Sequence, residues 1–136
     1  MLRLLVCGDR DWNDYPSVLA VVEQWRPDVV IEGECRGADL AGRDAAVDLG
    51  IPFLPFPAEW EKYHKAAGAR RNQQMLDEAN PNRVVAFHDN LCDSRGTRDM
   101  LRRAWNAGVE SIWLFDHHHG LRDVLTIADF PDWIGV

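Results

Sequence analysis

Four apolar runs in this chain end in polar turns that carry glycine or arginine, and this repetition constrains the fold more than any other feature. Leu4-Leu5-Val6-Cys7 runs into Gly8-Asp9-Arg10-Asp11-Trp12, and Val29-Val30-Ile31 into Glu32-Gly33-Glu34-Cys35-Arg36-Gly37-Ala38-Asp39. Phe53 to Phe56 leads through a loop to Gly68-Ala69-Arg70-Arg71-Asn72, and Val84-Val85-Ala86-Phe87 leads to Asp93-Ser94-Arg95-Gly96-Thr97. Amphipathic helical patterns separate the runs. Short strands alternating with such helices imply βαβ units and a mainly parallel sheet. All four turns then share one sheet edge, where open α/β folds bind their ligands.

The periodicity predicts helices over about Pro16–Trp25, Gly37–Leu49, Ala69–Glu78 and Thr97–Ala107. Asp14 suits the first N-cap, and Gly50 and Gly108 suit helix ends. The second helix has a small-residue stripe of Ala38, Ala41, Ala45 and Leu49, which allows close packing on the sheet. Ile51–Phe56 forms a third strand, and Pro52 and Pro55 place it at an edge. Ser111–Phe115 makes a fifth strand, and Leu121–Ile127 reads as a short helix. The loop from Pro57 to Gly68 is long for a βα connection, and such loops are often functional.

A chain of 136 residues fits a single domain over 1–136. No apolar run approaches the roughly 20 residues of a membrane span. Asp9 and Asp11 follow the first apolar run too soon for a signal peptide, so a cytoplasmic protein is expected. The formal net charge of −7 argues against nucleic acid as a partner, since that binding needs a basic face. Cys7, Cys35 and Cys92 lack paired spacing and read as reduced thiols, although all three fall near the strand ends. His117-His118-His119 alternate in direction on an extended segment, so a solvated loop is expected rather than a metal site. No cofactor is expected.

The turns suit an anionic small molecule, and a nucleotide or a nucleotide-derived compound is expected. Gly8 lets backbone approach a ligand closely, with Asp9 beside it, and Arg10 is a phosphate clamp. Gly33 and Gly37 flank Arg36 at a strand-to-helix junction, where free N–H groups and the dipole face one point. Asp39 in the first helical turn either complements the dipole or contacts a sugar hydroxyl. Arg71 with Asn72 places a guanidinium fork and an amide beside the pocket. Ser94, Arg95, Gly96 and Thr97 open the next helix, and the two hydroxyls either cap it or hold phosphate oxygens.

These residues together resemble the YspA-type branch of the SLOG superfamily. The resemblance runs from Cys7-Gly8-Asp9-Arg10-Asp11-Trp12 through Gly33-x-x-Arg36-Gly37-Ala38-Asp39 and Trp60. It continues through Gly68-x-x-Arg71-Asn72-x-x-Met75 to Ser94-x-Gly96-Thr97-x-x-Met100, covering about Leu2 to Phe115 and leaving a tail over 116–136. It implies a single Rossmann-like α/β domain, a mainly parallel sheet of about five strands with the first central, and helices on both faces. It also implies a nucleotide-related ligand at the C-terminal edge of the sheet. The LOG-type phosphoribohydrolases of the superfamily carry PGGxGTxxE; aligning Gly96-Thr97 with that GT puts Met100 at the essential glutamate, and the PGG part is missing. A thioether cannot serve as acid or base. The expectation is therefore a binder, in a sensor or sequestering role. The alternative is an enzyme hydrolysing a glycosidic or phosphoryl bond with Asp9, Asp11, Asp39 or Asp99. The aromatic tail, with Phe130 and Trp133, also permits a homodimer.

Overall fold

Four consecutive residues of the first strand, Leu4 to Cys7, are buried, as happens when both faces of a strand are covered. That strand, β1 (Arg3–Gly8), lies inside the sheet and pairs in parallel with β2 (Val29–Glu32) and β4 (Arg83–Phe87). The computed structural model, which describes residues 1–136, has one sheet in the order β3-β2-β1-β4-β5-β6. β3 (Phe53–Pro55) and β5 (Ile112–Asp116) extend the parallel array on either side. β6 (Gly120–Asp123) is antiparallel to β5. The fold is thus a six-stranded, mostly parallel α/β sheet of Rossmann-like form.

Alternation along β1 feeds two cores. Leu4 and Val6 pack with Val18, Val21 and Val22 of α1 (Tyr15–Trp25) and with Ala38, Ala45 and Ala46 of α2 (Ala38–Leu49). Leu5 and Cys7 face Met75 and Leu76 of α4 (Ala67–Ala79) and Met100, Leu101 and Ala104 of α5 (Arg95–Asn106). Asp14 caps α1 by accepting the Ser17 N–H at 3.2 Å. The close approach of α2 depends on Gly42, where a Cβ would stand 2.8 Å from the Val6 side chain. The expected stripe placed Ala41 there; Ala41 and Leu49 are half-buried flanks instead.

Two features differ from expectation. There are six strands, and Leu121–Ile127 is not a helix: Gly120–Asp123 pairs with β5, followed by a 3-10 turn at Val124–Thr126. The reason is the open edge of β5. Its backbone groups need partners, and the turn after Asp116, with Gly120 at φ 73°, returns the chain onto it. The tail then folds under α5, where Phe130 and Ile134 of the segment that includes α6 (Phe130–Trp133) are fully buried. No helix is long and apolar enough to cross a membrane.

Candidate functional site

From β1 the chain winds outward through β2 and β3, then returns across the sheet to β4. That reversal leaves a crevice beyond the C-terminal ends of β1 and β4. A cleft of about 890 Å³ occupies it. The β1–α1 loop supplies Gly8, Asp9, Arg10 and Asp11, and the β2–α2 loop supplies Cys35 and Arg36. α2 and α4 add Asp39, Arg71 and Asn72, and the start of α5 adds Ser94, Arg95, Gly96 and Thr97. Every residue expected at the site lines this cleft except Gly33 and Gly37.

Those two glycines shape the walls from behind. A Cβ on Gly33 would lie 2.5 Å from a terminal nitrogen of Arg71. Gly37 has φ 81°, and a Cβ there would lie 2.3 Å from the Asp9 carbonyl oxygen. Gly8 also serves the fold: its Cβ would strike the Phe87 carbonyl at 2.2 Å. The expected close approach at these turns is therefore chain on chain.

The helix N-termini are partly engaged by the protein. The Ala38 N–H at the start of α2 donates to the Asp9 carbonyl at 3.0 Å. Ser94 caps α5, its hydroxyl accepting the Thr97 N–H at 3.3 Å.

Arg71 lines the cleft beside Asn72, and its guanidinium is also engaged by the fold. It is 8% exposed; Nη1 donates to the Gly33 carbonyl and Nε donates to Asn72 Oδ1 at 3.0 Å. Nη2 meets only Cys35 Sγ, at 3.7 Å. The adjacent Asp39 carboxyl is pushed up to about 6 by burial, against the opposing pull of Arg71. It accepts the Cys35 N–H at 3.3 Å. The floor is thus a buried guanidinium beside a carboxyl that titrates close to neutrality.

Seven cationic and five acidic side chains line the cleft of a chain whose net charge is −7. Several acids are already balanced. Asp99 accepts from Arg102, from Arg103 at 2.8 Å and from Asn72 at 3.0 Å. Asp11 pairs with Arg36 at 3.1 Å, an exposed contact of little energetic weight. Arg10 lies over the Trp60 ring, 5.9 Å from its centroid.

Other lining residues escaped the motif reading. His88 follows β4 directly, the same strand-then-polar pattern as its neighbours, and its Nδ1 accepts the Asn90 N–H at 2.9 Å. Lys65 comes from the 3-10 turn His64–Ala66 between α3 (Trp60–Tyr63) and α4; the connection expected as a loop over Pro57–Gly68 is largely helical, and its length was the available signal. Ile134 and Gly135 reach the cleft from the tail, and nothing local in the sequence announces them. Cys7 and Cys35 line the cleft, whereas Cys92 is exposed outside it. Burial pushes the Cys7 thiol far up, so it stays protonated.

The site is that of a Rossmann-like crevice with glycine turns packed against arginines. Residues 2–63 match the model of the YspA, cpYpsA-related SLOG family. No curated protein and no solved structure gives a match to the chain. The SLOG-matching segment contains β1, β2, both of their glycine turns and Trp60. Arg71, Asn72 and the Ser94–Thr97 turn lie beyond it and join the same cleft through the fold.

The histidine tract lies at the β5–β6 turn, where the His118 and His119 rings meet edge-on at 4.5 Å while His117 turns away to other partners. His117 sits between Asp14 and Asp89, each 2.7 Å from a ring nitrogen, and stacks on Trp12 at 4.7 Å. His119 meets Asp116 instead. His117 therefore ties three loops together rather than lying free in solvent.

Proposed function

We propose that the cleft binds a nucleotide or nucleotide-derived anion, and that the protein acts as a cytoplasmic sensor or sequestering binder. Membership of residues 2–63 in a SLOG-type pattern supports nucleotide-related binding or processing. The observation that carries the reading is the excess of cationic side chains at the switch-point crevice of an otherwise acidic chain. Arg10, Arg36, Arg95 and the Ser94–Thr97 turn hold phosphate, while Asp39 and Asn72 face the sugar. Met100 is 1% exposed and stands where the LOG-type glutamate would be, and Asp99 beside it is neutralised by two arginines. Binding is therefore favoured over glycosidic hydrolysis.

A second reading rests on Asp39. A carboxyl at about 6 on the cleft floor is poised for proton transfer near neutral pH, as a hydrolase would require. One experiment separates the readings. Thermal unfolding against nucleotides, dinucleotides and cyclic derivatives should give an upshift of several degrees with at least one compound. A ligand at about 100 times its dissociation constant stabilises by roughly 2.7 kcal/mol. No shift with any of them removes the binding reading, and recovery of cleaved ligand promotes the enzyme.

A further inference from the structure

The chain has six tryptophans, and five of them are placed by ring packing. Trp12 packs on Phe87 and Phe115, Trp25 on Trp113, and Trp105 and Trp133 on Phe130. Trp60 alone packs on no other ring; it is 47% exposed and opens into the cleft. Leaving an indole wet forgoes favourable burial, which a flat ligand would recover.

The surroundings fit a stacked ring. Gly68 stands at the indole edge, where an added Cβ would come within 3.5 Å of Trp60. Over one face of the indole, 5.9 Å from its centroid, lies the Arg10 guanidinium, which donates to no acceptor of the chain and leaves the other face for a base. An aromatic platform next to an uncommitted guanidinium is how proteins hold a base and its phosphate together.

We propose that Trp60 is the platform for the base of the ligand, with Arg10 on the phosphate next to it. The nucleobase itself, and not the phosphate alone, then contributes to recognition. This rests on the anion-binding reading above and adds the polarity of the bound molecule. The base lies toward the start of α3, and phosphate lies between Arg10 and the start of α5.

The test is calorimetric titration of the whole chain, and of Trp60→Ala and Trp60→Phe, with AMP, GMP, UMP, ribose 5-phosphate and inorganic pyrophosphate. The wild-type chain should bind its best nucleoside monophosphate about tenfold or more tightly than ribose 5-phosphate. Trp60→Ala should erase that gap without changing ribose 5-phosphate affinity or the melting temperature, and Trp60→Phe should keep most of it. Equal affinity for nucleotide and ribose 5-phosphate in the wild type would overturn this inference alone, since an anion site would remain. So would a gap that survives Trp60→Ala. Binding of none of the five compounds would overturn the platform, and failure of the dinucleotides and cyclic derivatives as well would overturn the anion site with it.

Discussion

Arg71 donates to the carbonyl of Gly33, and the same guanidinium occupies the space a side chain on Gly33 would need. The end of β2 and the first turns of α4 are thereby locked together across the floor of the cleft. Gly33→Ala should cost about 1–3 kcal/mol through this overlap. The cost should shrink sharply in an Arg71→Ala background, because the clash is then gone. Denaturant melts of the two single variants and the double variant measure the coupling, and additive losses would break the link.

Arg71→Ala itself should lower both stability and affinity. The buried Asp39 carboxyl loses the positive charge that opposes its burial most, and the Gly33 carbonyl loses a donor. Removing one partner of a buried charge-assisted bond costs about 1.5–3 kcal/mol. An affinity loss with an unchanged melt would mean that the guanidinium serves only the ligand.

Asp39 gives the cleft a pH response. Its folded value of about 6 lies above the ordinary 3.8, so the associated stability is fully present below 3.8 and declines as pH rises through 6. Above that point a negative charge also stands on the floor of an anion site. Binding of a pyrophosphate-type probe should therefore weaken from pH 5 to pH 7, by an amount that Asp39→Asn removes. A pH-independent affinity in the wild type would contradict this.

His117 contributes a separate pH dependence outside the cleft. Hydrogen bonds to Asp89 and Asp14 raise it above 6.5, while its presence holds both carboxyls below 3.8. The clamp is thus complete between about pH 4 and 6.5 and is lost as pH rises through the raised histidine value. Below 3.8 it is lost again as the carboxyls protonate. His117→Gln should flatten the alkaline arm of the melting-temperature profile relative to wild type. Parallel profiles would show that the ion pairs carry no stability.

Phe130→Ala should destabilise by about 3–5 kcal/mol, because a fully buried ring is lost from the core under α5. Loss of Phe130 should also weaken binding, since Ile134 and Gly135 line the cleft on the same segment. Urea melts combined with titration check both, and a variant as stable as wild type would mean the tail is not anchored there.

Much of the architecture was legible because its causes are local. Short apolar runs separated by helical stripes imply a parallel sheet, Pro52 and Pro55 leave the third strand at an edge, and Asp14 announces a helix start. The strand-terminal turns could be placed on one edge for the same reason, since parallel strands share a direction. The sixth strand was not legible: Leu121 to Asp123 became a strand only because β5 offered unpaired backbone groups beside it. Nor were the partners of the arginines. Whether Arg71 faces a ligand or the Gly33 carbonyl depends on where two loops, 38 residues apart, meet in space. Residue type and spacing supplied the positive charge at the cleft. Only the packing of α4 against the end of β2 set which guanidinium is held in the floor and which, like Arg10, stays open to solvent.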